Sequence, residues 1–440
     1  MQLPRFFYIL TPMALKPSYT VVIERIAFGG DGVTHLDGCV IFVPGVLPGE
    51  RISFRVRGGH KTFAQGELLE VLEPSPDRIK PECPFMWHPL GHGPQTFPCC
   101  PGCAYGHVTY DRELALKQEQ FEEVLARLGG LKDLPFRKPV ASPRDLRYRN
   151  KITLHTRKDT VETKLGYLQV DNRTLLDIPA CPLAVDPIND LLKTLRTKPG
   201  FFQTLRHGMD VTLRWTERDG AIFWRGDSDS RDSWLEEPTP EGPLLVPRGS
   251  FFQINPAASG LLVGAVQALL KKAKPTRFID LFCGAGLFSL AAAKAGVAQG
   301  VGLDSDPAVV EAATQNAARH NLTGFTFQAG AADQDLPTLL QAGKPRSTLL
   351  LVDPPRTGLD PAVTAAIIAF RPRDIVYVSC AADTLARDLA RLTAVGYEPK
   401  SLQLVDMFPR TAHFESVVWL RAPAVRKEAA VKPRKKAKAE

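Results

Sequence analysis

The sequence predicts an α/β protein: a Rossmann-like domain at the C-terminal end, preceded by a small OB-like β-barrel and a mixed α+β central region. Three observations lead there. From residue 276 onward, apolar strands and helices alternate strictly, as in a parallel sheet covered on both faces. Residues 19–73 are instead short runs broken by glycine and proline, at the spacing of a small barrel. The 440 residues, 44% hydrophobic and 23% charged, exceed one ordinary domain and exclude disorder as the dominant state.

The elements follow in order. Residues 1–18 read as an N-terminal extension; positions 6–10 are apolar over too short a run for a secretory core, and Met13 is an alternative start. The barrel, 19–75, has runs at 20–26, 39–43, 51–57 and 64–72, with turns at Gly29, Gly30, Gly32 and at Pro44, Gly45, Pro48, Gly49. Pro74, Pro76 and Pro81 close it off. The central region, 76–250, is expected to hold a helix over 110–128, strands over 149–156 and 164–170, and a polar loop over 226–242.

In the last domain, 251–421, strands over 277–282, 300–304, 348–353 and 375–379 each lead into a helix, over 287–295, 307–320, 361–370 and 383–395. Asp383 is the expected N-cap of the fourth helix. Strands near 401–405 and 416–420 complete the pattern. The tail, 422–440, is lysine-rich without apolar periodicity and is expected to be disordered.

Charge is unevenly placed. Lys and Arg number 55 against 47 Asp and Glu, a net +8, yet residues 421–440 alone hold eight basic and two acidic side chains, or +6. A nucleic-acid surface must therefore be sought as a local cluster. Residues 137–158 carry eight Lys/Arg and one Asp, and Arg147, Arg149 and Lys151 alternate as on one face of a strand. Arg51, Arg55 and Arg57, with Lys61, form a second set on the barrel. Two such sets fit a path that tracks phosphates. No apolar run is long enough to span a membrane, so a cytoplasmic protein with its eight cysteines reduced is expected.

Ligands of a parallel sheet bind at the carboxyl ends of its strands. The first strand ends in Asp280, Leu281, Phe282, Cys283, Gly284, Ala285, Gly286, a turn that lets a ligand approach backbone at a helix N-terminus. The third glycine of a dinucleotide fingerprint is absent, because Ser289 stands there. Asp304, at the end of the second strand, suits a ribose, so a nucleoside-bearing cofactor is indicated. The third strand ends in Asp353, Pro354, Pro355, Arg356, where two prolines impose stiff non-helical backbone. Cys380 ends the fourth at a strand-to-helix junction, a place for a nucleophilic thiolate or for an inert buried thiol. Glu415, directly before the last strand, reads as a base or as a solvated flank.

Together these segments resemble one family. DLFCGAGLFSL (280–290), DPPRTG (353–358), YVSCAADTLARDL (377–389) and DMFPRTAHFESV (406–417) look like the ordered motifs of S-adenosylmethionine-dependent RNA uracil-5-methyltransferases, and Phe251, Phe252, Gln253 and Asn255 look like their FFQxN segment. FVPGVLPGE (42–50) resembles that family's RNA-binding TRAM barrel. The resemblance implies a class I methyltransferase domain and methylation of uridine C5 in structured RNA, with 23S rRNA favoured and tRNA the alternative. It makes Cys380 the nucleophile that adds to uracil C6 and Glu415 the base that removes the C5 proton. It assigns Gln253, Phe282, Gly284, Gly286, Asp304 and Asp353 to the cofactor or the cleft. Leu287 departs from it, since several relatives carry Asn there.

Cys100, Pro101, Gly102, Cys103, with Tyr110 and Lys117 beyond, resembles the segment that opens an iron-sulfur site in some members. Cys83 upstream and Cys181 downstream complete the implied ligand set, for a [4Fe-4S] cluster or for zinc. Sixteen residues separate Cys83 from Cys100, more than the family's usual spacing, and His88, His92 and Cys99 are alternative ligands. Two other functions compete: a methyltransferase acting on exocyclic amines through Asp-Pro-Pro, which needs no cysteine, and an RNA-binding protein with a vestigial catalytic domain.

Overall fold

The computed structural model describes residues 17–86, 99–158, 162–169, 171–226 and 233–423. The expectations for the N-terminal extension to residue 16, for His88 and His92, and for the tail beyond residue 423 lie outside the described residues.

Six strands form the first sheet: β1 (Ser18–Val22), β2 (Arg25–Ile26), β3 (Gly32–Leu36), β4 (Cys39–Val43), β5 (Arg51–Gly59) and β6 (Phe63–Glu73), in the order β1-β5-β6-β4-β3-β2. Alternate residues such as Ile41 and Val43, or Ile52 and Phe54, point into a core of their own. Helix α1 (Tyr110–Gly129) follows and ends on Gly130, whose φ of 64° supplies the left-handed cap.

The second sheet contains β7 (Lys151–Lys158), β8 (Thr163–Leu168), β9 (Leu175–Asp177), β10 (Asp210–Thr216) and β11 (Gly220–Arg225), covered by α2 (Asp186–Thr197). A ribbon of β12 (Trp234–Glu237) and β13 (Leu244–Pro247) then leads to α3 (Pro256–Ala273). The ribbon's first strand lies within the stretch expected to be a polar loop.

The third sheet has seven strands: β14 (Arg277–Leu281), β15 (Gly300–Asp304), β16 (Phe325–Ala329), β17 (Thr348–Val352), β18 (Asp374–Ser379), β19 (Glu398–Val405) and β20 (Glu415–Arg421). Between them run α4 (Leu287–Lys294), α5 (Pro307–Arg319), α6 (Ala332–Gln341), α7 (Pro361–Phe370) and α8 (Ala382–Ala394). The order is β16-β15-β14-β17-β18-β20-β19, with only β20 antiparallel to its neighbours. The strand order reverses at β14, so the crevice for a ligand opens above β14 and β17.

Strand periodicity explains the three layers. Phe278, Leu349, Leu351, Val376 and Val378 face one core with α3 and α4, while Ile279, Leu350, Val352, Ile375 and Tyr377 face the other with α7 and α8. Three helices begin with the same device, an Asx N-cap followed by proline: Asn255-Pro256, Asp306-Pro307 and Asp360-Pro361, each side chain accepting a backbone N–H of the first turn. α8 does not begin at Asp383 as expected. It starts at Ala382, and Ser379 Oγ receives the N–H of Ala381 instead.

α1 belongs to the second of these cores although it lies far upstream. Phe121, Val124 and Leu125 are buried there against α8, each contributing about 1.5–3 kcal/mol of apolar burial. Residues 136–140 likewise run beside β19, bridging Phe136 to Leu402 and Val140 to Val405.

Candidate functional site

At the end of β14 the chain turns sharply, with φ of 66° at Phe282, 51° at Gly284 and 89° at Gly286. Phe282 and Cys283 both donate their N–H to the carbonyl of Leu303, and Gly284 N–H donates to Asp304 Oδ2 at 2.9 Å. Asp304 Oδ1 accepts from Asp306 N–H at 3.1 Å, so the carboxylate is held rigidly at the end of β15. A Cβ built on Gly284 would meet nothing within 4 Å, which leaves an open face where a ligand can lie against backbone. Leu287 is buried in the core behind the turn.

Below it, Asp280 is fully buried against Ser289 Oγ at 2.6 Å, and burial pushes its carboxyl up to about 7. Burial, and next the neighbouring Asp280, push Asp353 to about 7 as well. Gln253 is 5% exposed and its Oε1 has no partner, a buried acceptor left for a ligand.

β18 and β20 pair in register up to Ser379↔Ser416, so Cys380 and Glu415, the residues next to that last pair, lie at the same end of the ladder. Burial, then Glu415 and Asp353, push the Cys380 thiol up to about 11, while Arg356 opposes them. Burial and then Asp353 likewise hold Glu415 well above the usual carboxylate range, again opposed by Arg356. Glu415 is 4% exposed and its Oε2 has no partner. One sheet edge thus gathers a half-buried thiol, two carboxyls that resist ionisation and an exposed arginine. The sequence pattern named these residues, but only the antiparallel insertion of β20 makes Cys380 and Glu415 neighbours.

Cys83, Cys100, Cys103 and Cys181 line a single cavity of about 160 Å³, together with Tyr167 and Arg410. Cys99 does not line it. Burial first, and then the neighbouring thiols, push Cys100 up to about 11 and Cys103 further. The donor set is right in kind for an iron-sulfur cluster. Even so, no group of three His, Cys, Asp or Glu side chains among the described residues is arranged to hold a metal ion. The expected [4Fe-4S] cluster is therefore unsupported by this arrangement, and so is zinc.

The basic strand face also differs from expectation. β7 begins only at Lys151, and Arg147 sits in a turn with φ of 51°, paired with Glu82 at 2.7 Å and Asp186 at 3.4 Å. Lys151 lies against the Trp224 ring at 5.9 Å. On the first sheet, Arg51 pairs with Glu73 and Arg57 with Glu67. Alternation in sequence did not register these acidic partners, which come from the paired strand β6 in the first sheet and from separate segments around Arg147.

Sequence reasoning also missed a buried ionic cluster. Lys117 and Glu113 are fully buried, with Lys117 Nζ 2.8 Å from Glu113 and 2.9 Å from Asp406. The available signal was a Glu and a Lys four residues apart on the apolar face of a helix.

Comparison with known proteins now bears on this geometry. A family model described as tRNA (uracil-5-)-methyltransferase matches residues 341–423, and one described as a methyltransferase domain matches 272–345. An uncharacterized RNA methyltransferase of Gloeobacter violaceus is 31% identical, over 91% of this chain and 96% of its own length. The chain belongs to the RNA uracil-5-methyltransferase family. A second relative, from Listeria innocua, is 30% identical over 92% of this chain and 97% of its own. Among solved structures, the Pyrococcus abyssi tRNA (uracil-54, C5)-methyltransferase in complex with S-adenosyl-L-homocysteine shares the fold. Its TM-score is 0.68 at 24% identity, covering 91% of this chain and all of that one. The enzyme is thus an RNA methyltransferase of class I fold. No helix among the described residues is long and apolar enough to cross a membrane.

Proposed function

We propose that this enzyme methylates C5 of a uridine in structured RNA through a covalent intermediate on Cys380. The observation that carries the proposal is that Cys380 and Glu415 adjoin the last β18–β20 pair, and that Glu415, Asp353 and Arg356 are the charges the thiol feels. Uracil C5 is too weak a nucleophile by itself. Addition of the Cys380 sulfur to C6 moves the ring electrons toward the C4 oxygen and makes C5 nucleophilic. S-adenosylmethionine, when bound, supplies the electrophilic methyl group that C5 takes. Glu415 then accepts the C5 proton, the electrons of that bond re-form the C5–C6 double bond, and the C6–S bond breaks to return the thiolate.

Gln253, Phe282, Gly284, Gly286, Asp304 and Asp353 are proposed to hold the cofactor, with Asp304 on the ribose hydroxyls. The cost of ionising both Cys380 and Glu415 in the empty cleft favours a resting state with both protonated. Arg356 at the rim, and positive charge brought in with the donor, offset that cost, so that both groups release their protons to solvent: Cys380 adds as the thiolate, and Glu415 is ionised when it accepts the C5 proton. Because uracil C5 is buried in a stacked helix, the uridine must be flipped out or already unpaired.

As substrate we propose 23S rRNA, on the likeness of the N-terminal sheet to a TRAM barrel and on the four-cysteine set. The likeness of the whole fold to a tRNA enzyme makes tRNA the competitor. The four thiols around one cavity are not arranged to hold a metal, and no catalytic step runs through them.

The test is incubation with 5-fluorouridine-substituted 23S fragments and tRNA in the presence of the donor. Fluorine cannot leave as a proton, so a covalent complex that depends on Cys380 is expected. Methylation of adenine or cytosine amines without a complex overturns the chemistry; a complex with tRNA alone overturns the substrate.

A further inference from the structure

We infer that helix α1 is a template for the catalytic loop: its buried Glu113–Lys117 pair, through Asp406 and Arg410, positions Glu415 for proton removal. The inference rests on the covalent mechanism proposed above.

The residues involved lie on one face of α1, at Tyr110, Glu113, Lys117 and Phe121, spaced by three or four. The loop they hold spans 406–414, from the end of β19 to the first residue of β20. Lys117 Nζ donates to Asp406 Oδ1 at 2.9 Å and to the Phe408 carbonyl at 3.2 Å. Tyr110 Oη donates to Asp406 Oδ2 at 3.1 Å and accepts the N–H of Ser142 at 2.7 Å. Glu113 Oε1 accepts the backbone N–H of Arg410 at 2.7 Å. At the far end, the Phe414 ring packs on Phe121 at 5.6 Å and on Phe28 of the first sheet at 6.3 Å. The residue after Phe414 is Glu415.

Arg410 shows that the loop is held in a conformation it would not choose alone. Its φ is 69°, unfavourable for a residue with a side chain. The surroundings compensate: its guanidinium donates to the Val108 carbonyl at 2.6 Å and pairs with Asp145, and its own carbonyl accepts the N–H of Tyr105 at 3.0 Å. Tyr148 Oη donates to the Pro409 carbonyl, and Asn255 Nδ2 to that of Met407.

A buried lysine between two buried carboxylates is a costly way to stabilise a fold, since apolar residues of similar volume serve as well or better. Its advantage is directional. Each charge fixes one point of the loop, whereas an apolar contact would allow it to slide. A carboxylate displaced by even about 1 Å from its proton loses one to two orders of magnitude in rate. Lys117 and Glu113 are positioning residues in this scheme and touch no substrate.

Formation and breakdown of the covalent intermediate separate this role from a general structural one. Addition of Cys380 precedes the step that needs Glu415, so a displaced base slows breakdown selectively. With uridine-containing substrate RNA and donor, Lys117→Met is expected to accumulate the methylated protein–RNA adduct, its breakdown slowed about 10- to 100-fold and its formation changed less than about threefold. Tyr110→Phe, which removes one hydroxyl and keeps the ring, should show a smaller effect in the same direction with a smaller loss of melting temperature than Lys117→Met. It keeps the test decisive if Lys117→Met does not fold. Lys117→Arg, which retains the charge, should recover part of the breakdown rate.

Formation and breakdown slowing in parallel, or breakdown at the wild-type rate in both Lys117→Met and Tyr110→Phe, overturns the positioning role. Wild-type protein and Glu415→Gln serve as controls. If the wild type traps no 5-fluorouridine RNA, the covalent mechanism itself has failed. If it does and Glu415→Gln accumulates adduct while the α1 variants do not, only the inference about α1 has failed.

Discussion

Two regions of this enzyme hold partly buried cysteines, and their surroundings differ in kind. At the carboxyl edge of the seven-stranded sheet, Cys380 faces Glu415 and Asp353, with Arg356 on the rim. In the second cavity, Cys100 and Cys103 feel chiefly other thiols. Burial raises the thiols in both places, so a raised pKa does not distinguish them. The neighbours do: a thiol beside a carboxyl is equipped to move one proton and one electron pair, whereas no carboxyl is among the groups that shift Cys100 and Cys103.

The largest effects should come from the sheet edge. Cys380→Ser is expected to reduce methylation to background and abolish the 5-fluorouridine adduct, while Glu415→Gln lowers turnover about 10²- to 10⁴-fold and keeps the adduct. Residual turnover in Cys380→Ser equal to wild type would erase the distinction between the two thiol sites. Next in size, Asp304→Ala should raise the KM for S-adenosylmethionine about 10- to 100-fold with a smaller change in kcat. A loss confined to kcat would move Asp304 from binding to chemistry.

The pH dependence sharpens the comparison further. Because the folded site raises the Cys380 thiol to about 11, neutral thiol dominates at pH 7 and the thiolate fraction grows with pH. Adduct formation should therefore increase up to about tenfold per unit between pH 6.5 and 8.5. A flat profile would mean that ligands lower the thiol pKa more than its surroundings raise it. The smallest catalytic effect is expected at the second cavity. Cys103→Ser should change methylation less than about tenfold, because no step runs through the four thiols. A larger loss would tie this cavity to the chemistry.

Much of the fold was legible because strand and helix periods are local properties. The alternation after residue 276 showed a parallel sheet, and the helices expected from 307 and 361 begin there in the structure, whereas α3 was not expected. The charged surfaces were less legible. Arg147, Arg149 and Lys151 alternate in sequence, but the turn at Arg147 breaks the strand face, and Glu82 and Asp186 come from elsewhere to pair with it. The start of α8 was misplaced by one residue because Ser379 Oγ receives the Ala381 N–H, so no side-chain cap at Asp383 is needed.

The sequence by itself determined the layered architecture, the family and the residue types at the strand ends, because period, turn chemistry and ordered motifs are written in neighbouring residues. Tertiary structure decided which groups meet. It inserted β20 antiparallel beside β18, which brought Glu415 to Cys380, and it laid α1 from far upstream under the loop that delivers that carboxylate. The contacts of α1 join charges and backbone donors hundreds of positions apart, and electrostatic pairing at such separations leaves no period in the chain for a sequence reading to find.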